Sequence, residues 1–436
     1  MAQTQVFDPI LLPTFRLKET RRFSIIDAIS PHDLPQKRPI YISLDCAYTR
    51  PIVEAAILRR PWCTLLSSLD TTGKHEPPLL QFSDFDNIEW EYVLSGRHGA
   101  ASYLVRKGLS RKAQMSLQIR RYLSKNISSP LKGAVPFTLI LETWNAHDEM
   151  RMDFGGGAIT SFNLPPTPLR QRLEWCLEEV KAEMEDPLRA DWLWILKPSV
   201  ANKGVDISLV RTFTQVLDSL EDSPDMREWV LQRYVPSPLL LVGRKFHLRV
   251  YTLCVGSLQV HVFDRILILL AARSYSDSDL DLFRHLTNTA VAAEMDDFDE
   301  EQAVKLLEDL PFFSSSCSNG RSAQAVDIIK RQVHEITAEL FKAFENEYTV
   351  FAPMPNCFEL YGLDFLVDED LRVHLLEVNP GPDFKQTGCR LRRVIVELWE
   401  QTCALVGLGG RAPDFTTVYD KETSTCKLAT GLRLRD

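Results

Sequence analysis

The chain reads as an α/β (α+β) protein, and three features of the sequence predict it. Short apolar runs of strand length alternate with amphipathic stretches of helical spacing along most of the chain. The C-terminal half ends in a long apolar hairpin, Cys357–Gly381, flanked by two helical segments. The 436 residues exceed what a single core usually serves, so roughly three domains are expected.

Taken in order, residues 1–38 form an arm rich in proline and charge for which no regular structure is predicted. A small N-terminal α/β domain follows over 39–125, opened by IYISLDCAYTRPIVEAAILRRPW, a strand, a turn and an amphipathic helix. The next division, 126–235, holds a strand in PFTLILETW, a Gly- and Pro-rich loop at 151–168, a helix from Leu169 to Met184, and the strands WLWILKPS and WVLQRYV with a helix at Phe213–Leu220 between them. The division 236–410 carries strands at Lys245–Cys254 and Gln259–Phe263. A loop-rich insertion is bracketed by acidic 294–301 and Ser-rich 314–322. A long helix (Ala323–Glu345), the hairpin and a last helix (Leu391–Val406) close it. Residues 411–436 read as a loose tail.

Composition narrows the function classes. With 45% apolar and 25% charged residues the chain can bury a sizeable core. A net charge of -9 argues against direct binding of nucleic acid. The nine cysteines are scattered without a CxxC pair, which fits reduced thiols better than a disulfide frame or a zinc site. The opening MAQTQVFDPILLPTFRLKE has no apolar signal core, and the run Ile266–Ala272 is too short to cross a bilayer, so a cytoplasmic protein without a membrane segment is expected.

The hairpin CFELYGLDFLVDEDLRVHLLEVNPG poses the sharpest chemical question, because it sets acids among residues of core type. Side chains two apart on a strand share a face, so Glu377 and Asn379 project together, and the turn near Asp368–Asp370 folds Asp364 back toward them. Two carboxylates and an amide oxygen on rigid strands suit Mg²⁺, which binds through a few carboxylates plus substrate phosphates. In WILKPSVANKGVDISLV a strand delivers Lys197 ahead of a small polar loop, Ala201–Gly204, of the kind that approaches phosphates with backbone N–H groups. In LQRYVPSPLLLVGRKFHLRVYTL, Lys245, His247 and Arg249 alternate with apolar residues and so share one sheet face. RHLTNTAV offers His285, Thr287 and Asn288 as hydrogen-bonding groups. Residues 106–125 hold seven Lys/Arg and no acid, a local excess that suits an acidic polypeptide or phosphate.

In order, KPSVANKG, LQRYVPSPLLLVGRKFHLRVY, HLTN and FELYGLDFLVDEDLRVHLLEVNPGP resemble the tubulin–tyrosine ligase family, whose catalytic core is an ATP-grasp fold. The resemblance spans roughly residues 40–410 and is strongest from 192 onward. It implies a nucleotide held between a central and a C-terminal domain, with ATP and Mg²⁺ as cofactors. It implies ligation of an amino acid, tyrosine first, to a protein carboxylate, with the acidic tail of tubulin as the leading partner. Carried over, Asp364, Glu377 and Asn379 are the Mg²⁺-binding set. Lys197 and Lys245 contact phosphates, Gln232, Arg233, Tyr234 and Val235 form the adenine linker, and His285, Thr287 and Asn288 sit beside nucleotide and substrate. Arg249 handles substrate or the transferred phosphate, alongside Lys245, and Lys112 matches a further nucleotide-site lysine.

Four positions in three blocks depart from the family pattern. RKFHLR places His247 where an acid is usual, and Asp206 replaces the second glycine of the phosphate loop. FDRILILL puts Leu269 where an arginine is expected and Ile266 where a glycine is, leaving Arg265 and Arg273 as the nearby arginines that could stand in. These changes keep open a second reading, a nucleotide-binding scaffold with impaired ligation, since some fungal proteins with such domains are associated with mRNA-processing bodies.

Overall fold

The computed structural model describes residues 37–69, 74, 79–143, 168–200, 206–223, 225–287, 303–309, 322–385 and 391–423. The loop expected at 151–168, the phosphate loop 201–204, Asn288 and both ends of the expected 294–322 insertion therefore lie essentially outside the described residues, as does nearly all of the N-terminal arm.

The first layer is a parallel sheet of β1 (Arg38–Ser43), β2 (Cys63–Leu66), β3 (Leu79–Ser83) and β4 (His98–Ala100), ordered β2-β1-β3-β4. Helix α1 (Thr49–Leu58) makes the crossover from β1 to β2, and helix α2 (Lys112–Leu123) follows the sheet. A second, antiparallel sheet orders β5 (Thr138–Glu142), β8 (Glu228–Arg233), β6 (Trp194–Pro198) and β7 (Ser208–Val210). Helices α3 (Pro168–Glu185) and α4 (Phe213–Asp222) cover it through a core that includes Val180, Trp194, Val216 and Trp229. A capping box fixes the start of α4: Thr212 accepts from the Gln215 N–H, and the Gln215 side chain accepts in return from the Thr212 N–H.

The third sheet is built on β10 (Arg244–Val255), preceded by β9 (Leu240–Leu241). One edge of β10 pairs with β12 (Leu267–Leu270) and then β11 (Gln259–Phe263); the other pairs with β14 (Phe358–Val367), which pairs in turn with β15 (Val373–Pro380). Alternation along β10 separates two cores. Phe246, Leu248 and Val250 pack with helix α5 (Ser322–Phe344), while Tyr251, Leu253 and Val255 pack with the first sheet and helix α6 (Arg392–Cys403).

Two expectations change, and one strand was not foreseen. The run Ile266–Ala272 supplies β12, whose four residues are all buried; a strand covered on both faces shows no alternation to read. Within the expected insertion, β13 (Val304–Leu306) pairs with β12. The tail is not loose over its first part, because β16 (Phe415–Asp420) pairs antiparallel with β11. Phe415 lies 5.1 Å from the Phe263 ring and Thr416 donates to Asp264 at 2.5 Å, so this strand covers what would otherwise be a bare sheet edge. The six described cysteines carry no disulfide, and no helix among the described residues is long and apolar enough to cross a membrane.

Candidate nucleotide and metal site

The second and third sheets face each other across a cavity of about 130 Å³. Lys112, Lys197, Gln232, Arg233, Tyr234, Val235, Lys245, His247, Arg249, His285, Thr287, Asp364 and Glu377 all line it. Asn379 joins them from β15, donating to Asp364 at 3.2 Å and to Glu377 at 3.1 Å. Of the residues singled out in the sequence, Asn288 and the loop Ala201–Gly204 lie outside the described residues.

The acids of the hairpin owe their position to register. Asp364 and Glu377 are cross-strand partners, and a bulge on β15 at Leu376 shifts the pairing immediately beyond them. The bulge keeps Glu377 and Asn379 facing the cavity while Leu375 stays in the core. Asp364 is buried and takes two hydrogen bonds from Arg249, at 2.5 and 2.9 Å. Arg249 lies across Gly362, where a Cβ would come within 3.1 Å of its Cδ and 3.0 Å of Pro382, so the glycine makes room for the guanidinium. Burial works against the Arg249 charge, but Asp364 outweighs it and holds the pKa above its ordinary value. Burial would likewise raise Glu377, yet Lys112 at 3.1 Å, Lys197 and the Asn379 amide hold its carboxyl well below the usual range. Lys112 is itself anchored at the start of α2: its N–H donates to the Ser199 carbonyl at 3.2 Å, and the next N–H to the Ser199 hydroxyl at 3.1 Å.

Opposite the acids stand two buried lysines without an ion pair among the described residues. Lys197 donates to Gln232 at 3.0 Å, and Gln232 donates to Thr138 at 3.0 Å. Lys245 donates to the Tyr234 hydroxyl at 2.7 Å and lies 4.0 Å from its ring centre. Tyr234 is in turn 2.8 Å from His285 Nδ1, and His285 Nε2 is 2.7 Å from the Asp279 carbonyl. That carbonyl can only accept, so the ring carries its proton on Nε2 and Tyr234 donates to Nδ1. Burial lowers Lys197 to about 8, Glu377 opposing and Lys112 adding to the shift. Lys245 falls to about 7, from burial and from the Lys197 charge. Two buried amines in one cavity, both shifted toward the neutral form, would regain their protons on meeting an anion.

The expected adenine linker, Gln232–Val235, lines the cavity with all four residues. The N–H groups of Arg233 and Tyr234 already donate to Phe137 and Leu193, at 2.8 and 2.9 Å, and the Arg233 side chain stacks on Trp192 at 4.1 Å. Of the departures, His247 is buried and its pKa is lowered by desolvation. Its Nδ1 meets Thr287 at 2.6 Å, while Nε2 has no hydrogen-bond partner among the described residues. Leu269 is buried opposite His247 in the core. Neither nearby arginine replaces the expected one: Arg265 is held by Glu308 at 2.7 Å and Glu397 at 3.2 Å, Arg273 by Asp281 at 2.7 Å, and neither lines the cavity. Asp206 has a φ of +56°, the left-handed region a glycine would fill, tolerated here by a residue that adopts it more readily than most. Sequence reasoning missed the apolar lining, Ile195, Leu286, Leu366 and Leu376, because such residues look like ordinary core.

Residues 164–413 match the family model described as "Tubulin-tyrosine ligase family". The chain belongs to the tubulin–tyrosine ligase family. It is 31% identical over 406 residues to a probable tubulin–tyrosine ligase of Saccharomyces cerevisiae, PBY1, covering 81% of this chain but only 49% of that protein, so the chain spans about half the length of this relative. A probable tubulin–tyrosine ligase of Schizosaccharomyces pombe is 29% identical over 397 residues, covering 83% of this chain and 89% of that protein. A solved structure, the C-terminal domain of K. lactis Pby1, superposes with a TM-score of 0.63 at 28% identity, covering 88% of this chain and 99% of that one. That domain is described as an ATP-grasp enzyme interacting with the mRNA decapping enzyme Dcp2. The fold is therefore ATP-grasp, and the chain is an ATP-dependent ligase-like protein of this family.

The donors fit a hard divalent cation: two carboxylate groups on adjacent strands with an amide beside them. Among the described residues no group of three or more His, Cys, Asp or Glu surrounds a metal position. A set of only two carboxylates leaves coordination places for water and phosphate, which suits Mg²⁺ better than a protein-enclosed Ca²⁺ or Zn²⁺ site.

Proposed function

We propose that the protein is an ATP- and Mg²⁺-dependent ligase joining an amino acid, tyrosine first, to a protein carboxylate such as the C-terminal tail of tubulin, through an acyl phosphate. The observation that carries this reading is the opposition of Lys197 and Lys245, buried and without ion pairs among the described residues, to the Asp364/Glu377/Asn379 set across one cavity. Phosphoryl transfer is governed by positioning and charge neutralisation, and this arrangement supplies both. Mg²⁺·ATP, when bound, supplies the phosphoryl group that activates the carboxylate. Lys197 and Lys245 would hold the phosphates, Asp364, Glu377 and Asn379 the cation, and Arg249 the substrate carboxylate. The cavity of about 130 Å³ is smaller than ligand pockets usually are, about 300–1,000 Å³, so nucleotide entry would need the site to widen.

The basic stretch 106–125 supports an acidic partner less evenly than its sequence suggests. Arg106 and Lys112 are consumed by Glu359 and Glu377, whereas Lys107, Arg111, Arg120, Arg121 and Lys125 are exposed. These five can meet an acidic tail in a way that weakens with salt.

A second reading, a nucleotide-binding scaffold, is favoured by His247, Leu269 and the engagement of Arg265 and Arg273 elsewhere. The decapping-enzyme contact described for the K. lactis domain makes an mRNA-decay partner the first to test under it. The deciding experiment is ATP-dependent incorporation of labelled tyrosine into detyrosinated tubulin, with Glu377→Gln as control. The ligase reading expects incorporation that the variant loses; nucleotide binding without incorporation of tyrosine or glutamate would favour the scaffold.

A further inference from the structure

The segment that joins β12 to the short helix Leu282–His285 runs beside the nucleotide cavity, and its base is fixed to the third sheet. The Tyr275 N–H donates to the Gly243 carbonyl at 2.8 Å, and Arg284 donates to the Ser274 carbonyl at 2.8 Å. Arg284 also holds Asp279 at 2.8 Å, and Arg273 holds Asp281 at 2.7 Å. Tyr275 turns inward, its ring 5.3 Å from that of His285, which lines the cavity.

The crown of the segment, residues 276–278, is built differently. Among the described residues its backbone makes one hydrogen bond, accepted by the Asp277 carbonyl from the Arg211 guanidinium at 3.4 Å. Arg211 directly follows β7, so this long bond ties the second sheet to the third beside a cavity that Ile207 lines from one side and His285 from the other. Arg211 is exposed and has no ion pair among the described residues. A crown with so few bonds can leave its place locally without unfolding the sheets beneath it.

Its sequence carries a chemical pattern. SYSDSDLD, residues 274–281, places an aspartate one and three positions after both Ser276 and Ser278. Acids at those offsets complement a protein kinase whose substrate groove is basic, and charge patterns of this kind decide which serine a kinase takes. Ser278 is exposed while Ser276 is half-buried, their hydroxyls 3.1 Å apart. A phosphate would add a charge of about −1.5 to −2 and three acceptor oxygens. On Ser278 it would lie one peptide unit from the carbonyl that Arg211 already reaches, with Arg273 and Arg284 engaged by Asp281 and Asp279. Repelled by the flanking aspartates, it would pair with Arg211, whose planar fork matches a phosphate.

We propose that Ser278 is the acceptor of an acid-directed protein kinase, and that its phosphate clasps Arg211 and holds the second sheet against the third. In the transfer the Ser278 Oγ forms a bond to the γ-phosphorus of the kinase's ATP. The bond from that phosphorus to the β–γ bridging oxygen breaks, ADP leaves, and the hydroxyl proton passes to the kinase's base. Because nucleotide entry would need the site to widen, the clasp slows it; this consequence rests on the nucleotide reading of the cavity, and the clasp itself does not.

The test treats the full chain with a purified kinase of the casein kinase class and Mg²⁺·ATP, removes the nucleotide, and locates phosphate by mass spectrometry. About one phosphate per chain is expected, on Ser278, and none there in Ser278→Ala. Amide hydrogen exchange over 206–212 and 275–281 should slow by about threefold to fivefold on phosphorylation, the scale of one well-formed surface ion pair, and should not slow in Arg211→Gln. A native chain that takes no phosphate at Ser278 would overturn the site. Exchange unchanged by the phosphate, or slowed equally in Arg211→Gln, would overturn the clasp. Stopped-flow binding of a fluorescent ATP analogue with Mg²⁺ separates the two readings: association should be slower in the phosphorylated wild type and recover in Arg211→Gln, and an unchanged rate would overturn the slowed entry. An unmodified chain that binds no analogue would instead refute the nucleotide reading, with the exchange result still deciding the clasp.

Discussion

Strand β14 carries two buried carboxylates that both meet arginines, and the two are used differently. Glu359 pairs with Arg106 and also accepts from the Ser102 hydroxyl at 3.0 Å, the Tyr103 N–H at 3.2 Å and the Tyr361 hydroxyl at 2.6 Å. Its network is complete, tying the segment after the first sheet to the third. Asp364, five residues on and therefore on the opposite face, pairs with Arg249 but borders an amide that can turn and, among the described residues, a His247 nitrogen without a hydrogen-bond partner and two lysines without ion pairs. A closed polar network stabilises a fold; an open one of the same residue types is arranged for something absent.

Breaking the closed network should have the largest effect. Glu359→Ala leaves Arg106 uncompensated and three donors unpaired, so it is expected to cost about 3–5 kcal/mol in chemical denaturation, while the remaining folded protein keeps its nucleotide affinity. A loss below about 1 kcal/mol would show that the two networks differ less than their geometry states.

The open network should respond to pH instead. In the ligand-free protein Lys245 sits at about 7 and Lys197 at about 8, below the value of about 10.4 for an unfolded chain. The unfolded state therefore binds more protons above pH 7, and these groups make the ligand-free fold gain stability as pH rises through the window between folded and unfolded values. Phosphates favour the ammonium forms, so nucleotide binding should take up protons near pH 7–8 and weaken as pH rises through it. Titrations in buffers of different ionisation enthalpy would measure up to about one proton taken up, reduced in Lys245→Met; no uptake would contradict the assigned phosphate contacts.

The same contrast shows what the sequence could disclose. Acids within the apolar run of β14 and β15 stand out because such burial is costly, and the Lys245/His247/Arg249 alternation marks one face without a structure. Arg106 and Lys112, six residues apart in one basic run, go to different networks, and no local pattern separates them because their partners are 253 and 265 residues away. β12 was hidden by burial on both faces, and β16 by following Gly410, after the last helix seemed to close the fold.

The central claim is that the cavity between the second and third sheets binds ATP through a divalent cation held by Asp364, Glu377 and Asn379. Calorimetric titration with ATP, with and without Mg²⁺, on the wild type and Glu377→Gln tests it most directly. The wild type should bind at least about tenfold more tightly with Mg²⁺, a difference of about 1.4 kcal/mol, and the variant should lose that increment while still melting cooperatively. Affinity indifferent both to Mg²⁺ and to the substitution would contradict the account.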